Sequence, residues 1–156
     1  MSTFRITGLD PANFSPLFGK SDEELAAVGA RRFVVDRQPG FPDRIEMRDI
    51  DVGETALLVN FTHLDAKSPY RASHAIWVHE GATTAYDTTG EIPEVLRSRL
   101  LSVRAFDKDA MLVTADVIDG NGLRDWITAT FANASVDFID VHNAKPGCFA
   151  ARVRRA

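Results

Sequence analysis

The pattern of strand signals is the feature that most restricts the fold of this 156-residue chain. Short apolar or alternating segments, bounded by Gly, Pro, Asn or Asp, recur along the sequence and predict eight or nine strands. Helical periodicity is confined to three short segments, residues 21–29, 93–100 and 122–133. Because strands and helices do not alternate regularly, a doubly wound parallel sheet is disfavoured. We predict an α+β fold: one domain over residues 1–156, with a mostly antiparallel, curved sheet and about three short helices.

Two local predictions are specific enough to be tested by a structure. Residues 44–48, RIEMR, predict a weak strand. Pro146 and Gly147 predict a four-residue turn, residues 145–148, with Gly147 at positive φ. That turn places residue 141 opposite residue 152 and points the side chains of residues 142 and 148 to opposite faces of the sheet. A one-residue slip or a bulge would bring these two side chains to the same face.

Composition and charge limit the classes of partner. The chain is 45% hydrophobic and 26% charged, which is typical of a globular protein. Its net charge of −4 and its dispersed basic residues disfavour nucleic acid as a partner, since phosphate binding needs a concentrated basic surface. No apolar run is long enough for a membrane span, and the first residues lack the features of a signal peptide. A single cysteine fits a reducing compartment, so we predict a cytoplasmic protein with no membrane partner.

The segment VHNAKPGCFAARV, residues 141–153, contains the first candidate catalytic pair, Cys148 and His142. A cysteine nucleophile needs a base within reach and a cation that stabilises the thiolate. His142 could be the base, and Lys145 and Arg152 could supply the charge. The alternative is that Cys148 is a small buried hydrophobic residue at the start of the last strand. Asp140 shares a strand face with His142 and could fix its tautomer, or the two could form a surface pair.

The candidate ligand-binding residues lie at two strand ends. Arg71 and His74 stand at the start of one strand, and Asn143 and Lys145 at the end of another. Arg71 suits a carboxylate or phosphate, although it could instead fix the loop 62–73 to a neighbouring carboxylate. The histidines show no metal-ligand spacing, so the sequence predicts no metal site, and a site assembled from distant segments stays open. Nothing in the sequence specifies a cofactor.

Several stretches in order resemble a family of short bacterial proteins, the domain of unknown function numbered 1203. The matching stretches are FRITGLDPANFSPLF, PGFPDR, SPYRASHAIWV, LRSRLLSVRAFD and HNAKPGCFAARV, which together extend from Phe4 to Arg154. The resemblance implies a bacterial origin and implies no activity, cofactor or catalytic residue. It also implies a cysteine after PGFP, where this chain has Asp43, so a two-cysteine mechanism or a thiolate-rich metal site is not expected here.

Two classes of function follow from these residues. The first is a small-molecule-binding protein or an enzyme, with a polar pocket near residues 70–74 and 142–148. The second is a non-catalytic interaction or structural module, and it rests on the absence of any motif with a known mechanism. If His74 lies within about 8 Å of the 142–148 turn around a concavity, the first class is favoured, because catalytic groups must converge.

Overall fold

The structure is a computed structural model that describes residues 3–156, and this range contains nine strands and three short α-helices. The strands are β1 Phe4–Thr7, β2 Arg31–Val34, β3 Thr55–Leu64, β4 Ala72–His79, β5 Asp87–Thr89, β6 Leu100–Phe106, β7 Leu112–Asp119, β8 Phe138–Asn143 and β9 Phe149–Arg155. The helices are α1 Asp22–Ala27, α2 Glu94–Arg97 and α3 Leu123–Phe131. None of these helices has the length and apolar character that a membrane span requires.

The strands form two sheets. A six-stranded sheet has the order β5-β1-β9-β8-β6-β7, and a three-stranded sheet has the order β2-β3-β4. Every pairing in the six-stranded sheet is antiparallel. Strand β8 lies between β9 and β6, and all six of its residues are buried. The predicted α+β class with mostly antiparallel sheets and three short helices is therefore confirmed.

The chain divides into two compact units. Unit 1 comprises the chain up to Thr7, residues 62–74 and residues 87–156, and it contains the whole six-stranded sheet. Unit 2 comprises residues 8–61 and 75–86. The last residues of β3 and the first residues of β4 belong to unit 1. That the chain folds as one domain stays a prediction.

Helices α1 and α3 begin where the sequence predicts them, whereas the helix predicted over residues 93–100 is shorter: α2 spans Glu94–Arg97, and Leu100 begins β6. Helix α1 follows a capping box, in which the Ser21 hydroxyl accepts a hydrogen bond from the Glu24 amide and the Glu24 carboxylate accepts one from the Ser21 amide. Helix α3 buries Leu123, Ile127 and Phe131, the apolar stripe that its periodicity indicates. The capping box fixes the start of α1, and the buried apolar stripe packs α3 against the interior.

The predicted weak strand over residues 44–48 is wrong, because this segment is a turn. The carboxylate of Asp43 accepts hydrogen bonds from the backbone amides of Ile45 and Glu46, at 3.1 and 2.6 Å. These bonds satisfy locally the amides that a strand would offer to a neighbour. Met47 then adopts a φ of 55°, which no strand residue has. Strand β5, in contrast, forms in a segment that the sequence indicates only as turn-rich.

The last hairpin differs from its predicted register by a bulge. Gly147 has the predicted positive φ, 78°. Asp140 nevertheless pairs with Arg152 and Val141 with Ala151, and the register shifts so that His142 pairs with Phe149. The predicted pairing of residue 141 with residue 152 is therefore wrong. The extra residue around the turn relieves the twist mismatch of a tight hairpin, and it determines where the His142 ring points.

Candidate metal centre

Three histidines that are distant in sequence converge within unit 1. They are His63 near the end of β3, His74 in β4 and His142 in β8. One ring nitrogen of each lies within 4.8 Å of the others. His63 and His142 are buried, and His74 is half-buried. We call these residues the three-histidine cluster.

A backbone contact sets the tautomer of His142. Its Nδ1 lies 3.0 Å from the carbonyl oxygen of Gly147, and a carbonyl can only accept, so Nδ1 carries the hydrogen. The lone pair of the neutral ring is therefore on Nε2. Burial lowers the pKa of His142 to about 3; Arg104 and His63 also lower it, and the bond to Gly147 opposes the shift. The ring is thus a neutral donor nitrogen with a fixed orientation.

His63 and His74 face each other nitrogen to nitrogen. The distance from His74 Nδ1 to His63 Nε2 is 2.9 Å, and the two rings are nearly parallel, with 7° between their planes. Two lone pairs cannot point at each other at this distance, so either a proton or a metal ion must lie between them. Burial, then His63, then Arg104 lower the pKa of His74, which favours its neutral form.

Asp140 and Arg152 support the cluster from the side of His63. Asp140 is fully buried, and Arg152 binds both of its carboxylate oxygens, at 2.7 and 3.0 Å. The same guanidinium donates to the backbone carbonyl of His63 at 2.8 Å. Burial raises the pKa of Asp140, but His63 and Arg152 outweigh burial, and the pKa lies below its ordinary value. A charged carboxylate is therefore fixed next to the first histidine.

The Nδ1 atom of His63 faces Asp140 without forming a hydrogen bond to it. It is buried, it has no hydrogen-bond partner among residues 3–156, and it lies 3.8 Å from Asp140 Oδ2. A carboxylate that faces the outer nitrogen of a ligating histidine is the usual partner that orients the ring and makes it a stronger ligand. At 3.8 Å the contact is electrostatic, and a small rotation of the ring would close it to a hydrogen bond.

The cluster has the dimensions of a zinc site. Zinc bonds imidazole nitrogens at about 2.0–2.1 Å, so tetrahedral geometry puts the ligand nitrogens about 3.3 Å apart. This separation lies between the 2.9 Å of the His63–His74 contact and the 4.8 Å within which all three nitrogens lie. Small ring rotations would therefore place three nitrogens around one ion, without any change in the strands.

Among the predicted site residues, the structure brings His74 close to His142, and Asn143 close to Cys148. The ring centroids of His74 and His142 are 5.2 Å apart. Asn143 is buried and pairs with Leu101, on the face of β8 opposite to His142. The thiol of Cys148 lies 3.9 Å from Asn143 Nδ2. A Cys148–His142 catalytic pair stays a prediction.

Arg71 and Lys145 lie outside the three-histidine cluster. Arg71 is exposed and forms an ion pair with Asp65 at 3.1 Å, which fits its alternative interpretation as a residue that fixes the 62–73 loop. Lys145 is exposed on the last turn. Their roles in ligand binding stay predictions.

Sequence reasoning missed the role of His63 and the pairing of Asp140 with Arg152. His63 belongs to a segment that reads as a loop, whereas β3 continues as far as Leu64. The alternation of His63 with Phe61 and the apolar run before it could have extended the predicted strand. Asp140 and His142 do share a face, but both are buried rather than paired on the surface.

Asp43, at the position where the resemblance implies a cysteine, has a structural role in unit 2. Its side chain is buried, and it accepts the turn amides of Ile45 and Glu46 together with the amide of His79 at 2.8 Å. Burial raises its pKa, and the three backbone amides oppose that shift. All of these bonds hold the backbone, so the carboxylate is occupied.

Comparison with known proteins places the chain in a family without supplying an activity. A comparison with curated proteins and another with solved structures found no match. The family described as "Protein of unknown function (DUF1203)" matches residues 40–155, which include the whole three-histidine cluster together with Asp140 and Arg152. The resemblance drawn from the sequence motifs is thereby confirmed. The chain belongs to the DUF1203 family.

Proposed function

We propose that this protein binds a transition-metal ion, zinc in the first place, at His63, His74 and His142, and that it acts there as an enzyme or a small-molecule-binding protein. The observation that carries the proposal is the convergence of one nitrogen from each histidine within 4.8 Å. Three strands supply the ligands, so the geometry is held by the sheets rather than by loops. The 5.2 Å between the ring centroids of His74 and His142 also supports the proposal, because it lies within the distance of about 8 Å that favours a converged site.

The ligand set favours zinc and a catalytic type of site. Imidazole suits zinc, copper, nickel and iron, while calcium and magnesium prefer oxygen. Structural zinc sites usually have four protein ligands, often cysteines, whereas three histidines leave a fourth position for water or substrate. The Cys148 thiol lies 3.9 Å from Asn143 Nδ2, and Asn143 lies on the other face of β8 from His142.

An ion held in this way supplies Lewis-acid chemistry. Such an ion would polarise a carbonyl or phosphoryl oxygen, or would lower the pKa of a bound water toward neutrality. The chain supplies the orientation: Gly147 fixes the ring of His142, and Asp140 faces the outer nitrogen of His63. Metal-assisted hydrolysis or hydration of a small molecule is the reaction class that this arrangement supports.

One observation supports a second candidate, acid–base chemistry without a metal. The 2.9 Å contact between His63 and His74 could be a hydrogen bond in a relay that runs from Asp140 through His63 to His74. The two candidates differ in one measurable property, because only the first predicts tight binding of zinc.

We place the protein in the bacterial cytoplasm. The family resemblance supports the bacterial origin. The chain has one cysteine and so cannot form a disulfide within itself, which supports a reducing compartment.

Zinc titration of the metal-free chain tests the proposal. Calorimetry with a competing chelator should give one zinc per chain. His142→Gln removes one ligand and should weaken binding by more than about 100-fold. His79→Gln is the matched control, because it removes a histidine that is paired with carboxylates, and zinc affinity should be unchanged.

Because His142 is buried, a variant of the half-buried ligand guards against loss of folding. His74→Ala should keep the circular dichroism spectrum of the native chain and also lose zinc affinity by more than about 100-fold. Absence of zinc binding by the native chain would rule out the metal centre. Equal affinities of the native chain and both ligand variants would do the same.

A further inference from the structure

Arg104 is a half-buried cation on the same face of the sheet as the three-histidine cluster. In the pairing of β6 with β8, Arg104 lies opposite Asp140 and Ser102 lies opposite His142. Residues directly opposite each other in an antiparallel pair share a face. Arg104 is therefore a close neighbour of His142 on this surface.

The guanidinium of Arg104 has no carboxylate partner within residues 3–156. Its one recorded bond runs from Nε to the hydroxyl of Ser102, at 3.2 Å. Arg152, two strands away on the same face, is held at two points by Asp140. An arginine guanidinium can bind a carboxylate or a phosphate through two nitrogens at once. The terminal nitrogens of Arg104 could therefore bind an acceptor on an external molecule.

The charges around the three-histidine cluster also favour binding of an anion. The three histidines are neutral as ligands, and the negative charge of Asp140 is compensated by Arg152. Arg104 is close enough to lower the pKa of both His74 and His142, so its field acts at the cluster. A divalent ion beside this fixed cation leaves excess positive charge, which an anion would neutralise.

We propose that Arg104 binds an anionic group, a carboxylate or a phosphate, of the small molecule that occupies the open position of the metal centre. The inference rests on the proposed metal centre. Ser102 fixes the Nε side of the guanidinium, which leaves the two terminal nitrogens as a fork for two anion oxygens. Arg104 is a substrate-binding residue in this scheme, and it is not a metal ligand.

Binding of two probe anions to the zinc-loaded chain tests the inference. Inorganic phosphate and acetate are titrated separately by calorimetry into the native chain, Arg104→Gln and Arg104→Lys. The native chain should bind at least one of the two, and Arg104→Gln should bind it at least about 10-fold more weakly. Arg104→Lys keeps the charge without the fork and should have an intermediate affinity. The anion that binds more tightly assigns the substrate to phosphate esters or to carboxylates.

Arg154→Gln is the matched control for the loss of a positive charge. Arg154 lies in β9 on the same face, is exposed, and pairs with Asp137 at 3.5 Å. Its removal should leave the affinity for both anions unchanged. An equal loss in Arg154→Gln and Arg104→Gln would show a general charge effect and overturn the inference.

The affinity for zinc, measured in a buffer without either anion, separates this inference from the metal centre itself. Removal of a repelling cation should leave zinc affinity unchanged or higher in Arg104→Gln. If the native chain binds zinc but neither anion, or if Arg104→Gln binds them as well as the native chain, the anion site is overturned and the metal centre stands. If the native chain binds no zinc, the metal centre itself fails, and with it this inference.

Discussion

Two histidine-containing regions of this molecule have opposite surroundings. In unit 2, His79 lies between two carboxylates: Nδ1 is 2.7 Å from Glu46 and Nε2 is 2.8 Å from Glu54. Arg48 contacts both carboxylates, at 3.2 and 3.5 Å. We call these four residues the His79 cluster. Both ring nitrogens of His79 are in use, so the cluster is a closed polar network.

The three-histidine cluster in unit 1 is an open network. His63 and His74 face each other, and among residues 3–156 the only carboxylate within 4 Å of a nitrogen of either ring is that of Asp140, 3.8 Å from His63. Buried polar groups are normally satisfied, and groups that are not satisfied often have a functional role. The partners of these histidines, rather than their burial alone, are the basis on which we assign a structural role to His79 and propose a ligand role for the three-histidine cluster.

The largest expected effect concerns the support of the open cluster. Arg152→Leu removes the partner of a fully buried carboxylate and should lower the free energy of unfolding by about 3 kcal/mol. Chemical denaturation measures this change. The matched change in the closed cluster, Glu54→Gln, affects a half-exposed ion pair and should cost less than about 1 kcal/mol.

A double variant checks that the loss comes from the buried charge. Asp140→Asn in the Arg152→Leu background removes the unpaired carboxylate and should recover part of the lost stability. A double variant as unstable as the sum of the two single variants would show that the loss comes from packing and not from charge.

The second prediction uses zinc itself to compare the two clusters. Zinc at about 100 times its dissociation constant should raise the free energy of unfolding of the native chain by about 2.7 kcal/mol. His79→Gln should keep the whole increment, even if its own stability is lower, and His142→Gln should lose it. Denaturation curves with zinc and with a chelator measure both. An equal increment in both variants would mean that zinc binds elsewhere.

The sequence allowed the classes of elements to be predicted but not the way in which they meet. Local signals were sufficient for the capping box at Ser21 and for the positive φ of Gly147, because both depend on neighbouring residues. The strand predicted over residues 44–48 was wrong because the carboxylate of Asp43 accepts hydrogen bonds from amides that the strand would need. A propensity count does not include that competition.

The candidate site could be predicted only in part. His74 was selected from its position at the start of a strand and His142 as a possible base for Cys148, and the structure brings the two together. The third histidine, His63, depends on long-range pairing of strands that are separated by many residues, and no local spacing encodes that pairing. The bulge between Val141 and His142 likewise arises from the twist of the final hairpin, and a register argument from the turn alone missed it.

The third prediction concerns the stability at acid pH and the carboxylate of Glu80 in unit 2. Arg32 binds Glu80 through two nitrogens, both at 2.8 Å. This pairing, with smaller contributions from the Gly19 amide and the Thr55 hydroxyl, outweighs burial and lowers the pKa of Glu80 from 4.5 to about 2. A lowered pKa in the folded state gives stability that is present above pH 4.5 and is lost as the pH falls toward 2. Glu80→Gln should cost about 1 kcal/mol at neutral pH and flatten this part of the pH profile. Unchanged steepness in Glu80→Gln would contradict the assignment.

The smallest expected effect separates the metal centre from the cysteine hypothesis. Cys148 is half-buried and its thiol lies 3.9 Å from Asn143, whereas the proposed ligand nitrogens belong to the three histidines. Cys148→Ser should therefore change zinc affinity by less than about twofold and leave the stabilisation by zinc intact. A large loss of zinc affinity would make the thiol a fourth ligand and the site a closed, structural one. Unchanged affinity leaves the fourth position of the metal centre to water or to the anion that Arg104 would bind.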